Sequence, residues 1–301
     1  MPADALTGGR HRSGDPGASD DPVEDGHGRS NATDDRTQDS RGRLDNTSTV
    51  HGLPRGGEHN LTNTIDDRHP DGQRRPGDTH AVDDLLTYGQ RRLGDTVTAL
   101  LDADAFPVVL GGGHEVAYGT YLGLARSARR TPGTTIGILN LDAHFDLRPD
   151  PIPSSGTPFR QILESDDAVR YAVLGISQPS NTTALFDTAH RFGVRYLLDD
   201  DCEPARAAAF VAEFLTGIDL LYLTIDLDVL PASVAPGVSA PAAFGVPLAT
   251  IQAVCDQVTA SGMLTVVDVA ELSPGLDIDD RTARTAARLI HRIVIGHRTQ
   301  K

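Results

Sequence analysis

Residues 134–146 read TTIGILNLDAHFD. The run TIGIL is apolar almost throughout, as in a strand buried on both faces of a parallel sheet. It passes without a turn signal into Asp142, His144 and Asp146, which occupy every second position. A second run, YLTIDLDVL at 222–230, repeats the pattern with Asp226 and Asp228. In an extended chain alternate side chains point the same way, so each set is predicted to converge on one point.

Outward from these two runs, helical and strand patterns alternate. Leu85, Leu86, Leu93, Val97, Leu100 and Leu101 recur at helical spacing within 81–103. FPVVLGGGHE reads as a short strand entering a glycine turn, and AYGTYLGLARSARR as a helix. TPFRQILES, NTTALFDTAHRFG, ARAAAFVAEFLTG, PLATIQAVCDQVTASG and DRTARTAARLIHRIVIG continue as helices. RYAVLGIS, VRYLLDD and LTVVDVAELSP fall between them as strands. Alternation of this kind predicts an α/β fold with a mostly parallel sheet covered by helices on both faces.

Residues 1–80 differ in kind. They hold no Phe, Tyr or Trp, only seven Val, Leu or Ile, and 15 acids against 10 arginines. Such a segment buries too little apolar surface to offset the entropy of ordering. It is expected to be a disordered or non-native extension, with the catalytic domain at 81–301. The whole chain carries a formal charge of −15, and its one lysine is Lys301. That balance argues against a nucleic-acid partner. It suits either a high-salt cytoplasm or the codon bias of a GC-rich genome. Two cysteines are too few for a disulfide framework, and there is no run of 18 apolar residues. The expectation is a cytoplasmic protein with a small-molecule substrate and no membrane partner.

Ligands of open parallel sheets sit at the carboxyl ends of the strands. Four polar clusters fall there: His114; Asp142, His144 and Asp146; Asp226 and Asp228; and Glu271. Any one of these aspartates has an ordinary use as a turn former. Four carboxylates crowded in a nearly dry pocket repel one another, and cations relieve that cost. An oxygen-rich set with imidazoles and no thiolate suits Mn2+ over Zn2+. Six ligands, some bridging, are about right for two ions, which together lower the pKa of a bound water from 15.7 to about 7. GGGHE offers glycines for a phosphate loop, but no Gly-Lys-Ser/Thr follows.

GGGHE, NLDAHFDLR, SSGTPFRQI, LTIDLDVLPASVAPGVSAPAAFGV and DVAELSP, in this order over roughly residues 85–295, resemble the arginase–agmatinase–formimidoylglutamase (ureohydrolase) family. The resemblance implies a three-layer α/β/α fold and two Mn2+ per subunit. Carried over by position, one ion takes His114, Asp142, Asp146 and Asp226. The other takes Asp142, His144, Asp226 and Asp228, so Asp142 and Asp226 bridge. Asp146 holds the attacking hydroxide, and Glu271 pairs with the cationic nitrogens of the substrate. A homo-oligomer, trimer or hexamer, is also implied.

Within the family the motifs are most similar to the formimidoylglutamase branch: Glu115 after GGGH, Arg148, Ser155 and the VLPASVAPGVSAP segment. This implies Mn2+-dependent hydrolysis of N-formimidoyl-L-glutamate to L-glutamate and formamide, a step of histidine breakdown. An agmatinase or guanidinobutyrase, or a truncated inactive member, is the alternative. The substrate's two carboxylates suit a guanidinium fork, and Arg148 follows the metal ligands directly; Arg160 is a second candidate. Ser155 stands where agmatinases usually have a proton-shuttling His; it either contacts substrate or caps the helix that starts near Pro158. The family's first strand and its G-x-x-x-GP segment have no counterpart in residues 1–80. A shifted reading frame upstream of codon 81 is one account of this. The sheet is therefore expected to lack its N-terminal strand.

Overall fold

A computed structural model describes residues 78–299, with side chains from residue 85. The expectations for an extension over 1–80 and a missing first strand lie outside the described residues, apart from the first turn of α1. Six strands and seven α-helices alternate: α1 (Asp78–Asp102), β1 (Val108–Leu110), α2 (Val116–Arg126), β2 (Ile136–Leu141), α3 (Pro158–Ser165), β3 (Val169–Ile176), α4 (Thr183–Arg191), β4 (Arg195–Leu198), α5 (Pro204–Leu215), β5 (Leu220–Asp226), α6 (Leu248–Ala260), β6 (Leu264–Ala270) and α7 (Arg281–Arg298). Every predicted strand and helix is present.

The sheet is parallel throughout, in the order β1-β6-β5-β2-β3-β4. Strand alternation splits the core in two. On one face Ile136, Ile138, Tyr171, Val173, Tyr222 and Val266 pack against α1 to α4. On the other Leu139, Leu141, Leu223, Ile225, Val267 and Val269 pack against α5 to α7. This is the expected three-layer α/β/α arrangement. All six residues of β2 are buried, which explains why that run carries no polar alternation. At the other extreme, β1 is, with β4, an edge strand among the described residues, and its Leu110 is 57% exposed.

Local sequence sets several helix ends. Pro158 and Pro204 start α3 and α5 where a missing N–H costs nothing. The Asp277 carboxylate accepts from the Thr282 and Ala283 N–H groups, so it closes the first turn of α7 from outside the helix. Helices α1 and α2 meet at Gly123, where a Cβ would lie 2.4 Å from Val97 Cβ; only glycine permits that approach. Among the described residues no helix is long and apolar enough to cross a membrane.

The connections run outward from β2 through β3 to β4, then return to place β5 beside β2 on its other flank. The chain thus reverses direction between β2 and β5. A crevice opens at the carboxyl end of such a switch point.

Candidate metal centre

All the polar clusters sit at that end, on four adjacent strands. His114 follows the glycine turn after β1, Glu271 follows β6, Asp226 and Asp228 end β5, and Asp142, His144 and Asp146 leave β2. His114, Asp142, Asp146, Asp226 and Asp228 are buried and His144 is half-buried.

The way the alternate residues converge differs from expectation. Strand β2 ends at Leu141, so none of its three polar residues is in the strand. Instead Asp142 Oδ1 accepts from the His144 N–H (2.6 Å), and Asp226 Oδ1 accepts from the Asp228 N–H (2.8 Å). Each aspartate thus caps its own turn two residues on, the Asx geometry that short carboxylates favour. Asp228 lies in a 3-10 turn, Leu227–Val229. Asp146 returns to the cluster only because its φ is +49°, a left-handed value uncommon outside glycine. Glu271 has a φ of +68°. Two strained residues at one site indicate that the surrounding packing imposes the arrangement.

His114 Nδ1 lies 3.2 Å from Asp142 Oδ2, 3.0 Å from Asp146 Oδ2 and 3.1 Å from Asp226 Oδ2. Despite this proximity Nδ1 is buried without a directed hydrogen bond. His144 Nδ1 lies 3.0 Å from Asp228 Oδ2 and 3.5 Å from Asp142 Oδ1. Two ligand sets result, each with its donor atoms within 4.8 Å of one another: His114, Asp142, Asp146 and Asp226; and Asp142, His144 and Asp228. Asp142 is common to both. Asp226, which the family resemblance makes a second shared ligand, falls outside the second set at this spacing. An orphaned imidazole nitrogen facing three carboxylate oxygens fits a divalent cation, since the cation supplies what the hydrogen-bond geometry lacks.

The electrostatics agree. Burial and repulsion from Asp142 push Asp146 up to about 7. Burial and the neighbours Asp228 and Asp142 raise Asp226 well above the carboxylate range. Asp228 is raised by burial and Asp142. Burial opposes charge on both histidines, yet the carboxylates win: His144 rises to about 11, and His114 rises well above its usual value. Burial opposes ionisation of Asp142 too, but His114 and His144 hold its pKa well below normal. Without a cation, then, the cluster gathers protons. A cation must displace them. Calorimetry of Mn2+ binding at pH 6.5 in buffers of different ionisation enthalpy is expected to report at least one proton released per chain. Affinity should weaken by about tenfold per proton for each unit of acidification. Equal heats in all buffers would contradict the arrangement.

Glu271 is pinned from two sides. Its Oε1 accepts from the His114 backbone N–H (2.8 Å) and its Oε2 from the Ser239 hydroxyl (3.1 Å). Arg148 is exposed, and its guanidinium lies over Gly156, where a Cβ would approach Arg148 Cδ and Nε to 2.8 Å. Ser155 is half-buried and does not cap α3: Thr157 occupies the cap position, with its hydroxyl donated to the Ser154 carbonyl (3.0 Å). Arg160 is paired with Glu164 one turn on, at 2.8 Å. A cleft of about 510 Å³ beside His144 is lined by Ser177, Ser180, Asp199, Asp200 and Phe244 among others.

Four positioning residues escape a reading that looks only at strand ends. Asn140 donates to Asp142 Oδ2 (2.8 Å) and Thr224 contacts His114 Nε2 (2.8 Å). Asn181 donates to the Ala143 carbonyl (2.9 Å) and accepts from the Phe145 N–H (3.1 Å), clamping the loop that carries His144. Ser239 is the fourth. For Asn140 and Thr224 the available signal is a polar residue interrupting a buried apolar run.

The sequence model of the arginase family matches residues 56–296. That match begins ahead of residue 81. Formimidoylglutamase from Nocardia farcinica is 79% identical over 203 residues, covering 67% of this chain and 66% of the relative. Formimidoylglutamase from Rhodococcus jostii is 75% identical over 205 residues, covering 66% and 64%. The chain therefore spans about two thirds of the length of these curated relatives. Among solved structures, formimidoylglutamase from Bacillus subtilis superposes with a TM-score of 0.65 at 24% identity, over 71% of this chain and 68% of that one. Formiminoglutamase from Trypanosoma cruzi, solved with Mn2+, superposes with a TM-score of 0.64 at 25% identity, over 70% and 71%. The likeness to the Bacillus structure establishes the fold.

Proposed function

The chain belongs to the arginase family, and from that premise we propose that it hydrolyses N-formimidoyl-L-glutamate to L-glutamate and formamide at a pair of Mn2+ ions. The observation that carries the metal chemistry is the orphaned His114 Nδ1 facing Asp142, Asp146 and Asp226, with Asp142 shared by a second set. The likeness to relatives named formimidoylglutamase supports the substrate. We further read residues 81–301 as the catalytic domain, the enzyme as cytoplasmic and the assembly as a trimer or hexamer, as the family resemblance implies.

When bound, the two ions supply a water that ionises near neutral pH and is poised for attack. His114, Asp142, Asp146 and Asp226 would hold one ion; Asp142, His144 and Asp228, with Asp226 shared as the family resemblance implies, would hold the other. Asp146 is the acceptor for the proton that attacking water gives up. Water adds to the formimino carbon and the bond from that carbon to the glutamate nitrogen breaks; the nitrogen leaves as the protonated amine. Glu271 orients the amidinium: each of its oxygens already accepts one hydrogen bond and keeps a second lone pair for a substrate N–H. Arg148 is exposed, with no ion-pair partner among the described residues, and is free to take a substrate carboxylate. Ser155 is the neighbouring polar contact.

One observation favours a second reading. Asp199 and Asp200 line the cleft next to His144, and among the described residues no arginine does. An acidic wall suits a cationic tail, as in agmatine, better than a dicarboxylate. Purified full-length protein with Mn2+ should be offered N-formimidoyl-L-glutamate, agmatine and 4-guanidinobutyrate, scoring formamide and urea. Formamide alone is expected. Urea from agmatine without formamide would establish the second reading. In the same assay Arg148→Met is expected to lower kcat/KM for N-formimidoyl-L-glutamate by about 10–100-fold, mainly through KM, as befits a lost charged hydrogen bond of about 1.5–3 kcal/mol.

A further inference from the structure

Beneath the metal ligands runs a row of polar residues that the proposed chemistry does not use. Asn140 on β2 is the register partner of Thr224 on β5, and Thr224 is the register partner of Asp268 on β6. The three therefore stand side by side on one face of three adjacent strands. All are completely buried. Asn140 and Thr224 lie two residues before Asp142 and Asp226, so the row sits one tier below the ligands. Two of its members each hold a ligand: Asn140 bonds Asp142, and Thr224 bonds His114 Nε2 at 2.8 Å. Asp268 touches no ligand. It is the one completely buried carboxylate outside the metal sets among the described residues.

A buried carboxylate in the middle of an apolar strand is costly unless its neighbours use it. Tyr222, from the same face of β5, donates its hydroxyl to Asp268 Oδ2. Asp268 Oδ1 is buried and makes no directed hydrogen bond, although the Thr224 and Thr120 hydroxyls both act on the carboxylate. The Thr120 hydroxyl donates to the Val116 carbonyl (3.2 Å), which leaves Thr224 as the donor to account for. The proton count around Thr224 says what Oδ1 is for. To bind a cation, His114 Nδ1 must carry no proton, so Nε2 must carry one and donate it to Thr224 Oγ1. The threonine hydroxyl then needs an acceptor other than the imidazole. Asp268 is its register neighbour and has an oxygen unused. Were Thr224 to donate to Nε2 instead, the ring proton would sit on Nδ1, against the three carboxylates, and block the cation.

We propose that Asp268 is a positioning residue which, through Thr224, orients the hydrogen bond that holds His114 in its metal-binding tautomer. Asp268 accepts from Thr224, and Thr224 accepts from His114. This is the carboxylate–histidine–metal relay of metal sites, with a hydroxyl interposed. The proposal rests on the metal-centre reading above.

The test is Mn2+ titration of the full chain by calorimetry, with metal content measured after dialysis and the melting temperature of each chelated variant recorded. Thr224→Val and Asp268→Leu are each expected to weaken one ion by about 10–100-fold, the cost typical of losing an outer-sphere partner. The other ion should be unaffected. Asp268→Leu replaces a buried carboxylate by an apolar side chain, so the chelated protein should melt no lower than wild type; damage to the fold would lower both. The double variant should be no worse than Thr224→Val alone, because the two residues act in series. Asp268→Asn keeps an acceptor oxygen and should retain wild-type affinity. Unchanged affinity in Thr224→Val or Asp268→Leu, or losses that multiply in the double variant, would overturn the proposal. If Asp268→Leu does not fold, Asp268→Ala is read in its place. Wild type that takes up no Mn2+ would instead bring down the metal-centre reading; two ions in wild type and an unaltered Thr224→Val would sink the relay alone.

Discussion

Asp142→Ala is expected to empty both halves of the metal centre and to abolish hydrolysis. Asp142 is the one residue common to both ligand sets. It is also the residue whose carboxylate the protein invests in most: Asn140 and the His144 N–H bond it, and both histidines hold it ionised. Its removal also frees the Asx turn that places His144. The loss of turnover should exceed the roughly 10–100-fold that follows removal of an outer partner. Metal analysis after dialysis against micromolar Mn2+ should find no bound ion. His144→Ala is the control, because His144 belongs to one set; it should lose one ion and keep the other. An Asp142→Ala protein that retains an ion and measurable formamide production would show that the two sets are independent.

Chelation should have the second largest effect, on stability. In the metal-free protein burial and Asp142 raise Asp146 to about 7. A raised carboxyl binds its proton more tightly folded than unfolded, so its contribution is fully present below its unfolded pKa, about 4, and is lost as pH rises towards 7. Asp226 and Asp228, also raised, act in the same direction. His144 and His114, raised too, begin to lose their contribution once pH passes the unfolded histidine value of about 6.5, so they act in the same direction in the upper half of this window. Asp142, held low, is already ionised throughout it. The chelated protein should therefore lose stability between pH 5 and 8, whereas the loaded protein gains, because the ions replace the protons. With free Mn2+ at about a thousand times its dissociation constant, each site adds about 4 kcal/mol. For a domain of this size one such site corresponds to a rise in Tm of about 10 °C. Scanning calorimetry with and without chelator at pH 5 and pH 8 checks both parts. A gap between loaded and chelated protein that narrows towards pH 8 would contradict the assignment of the cluster.

Much of this protein is legible along the chain. The apolar runs of β2, β5 and β6 are recognisable because strands buried on both faces of a parallel sheet admit almost no polar residue. The same fact makes the carboxylates at their ends conspicuous, and six candidate ligands stand out along the chain. Arg148 was legible only as a charge next to the ligands. Its place over Gly156 depends on a loop whose path no periodicity reports.

What the sequence determines here is therefore the inventory: strand, helix, and a polar cluster at the carboxyl ends of β1, β2, β5 and β6, because burial filters residue types one position at a time. How the inventory is joined is decided only in three dimensions. Alternation along a strand would have brought Asp142, His144 and Asp146 together, but β2 stops at Leu141. Two Asx turns and a left-handed Asp146 do the work instead. Register does the same for Asn140, Thr224 and Asp268, which are far apart in the chain and adjacent in the sheet. Strand order and register arise from packing every strand and helix at once, and no local stretch of sequence contains that sum.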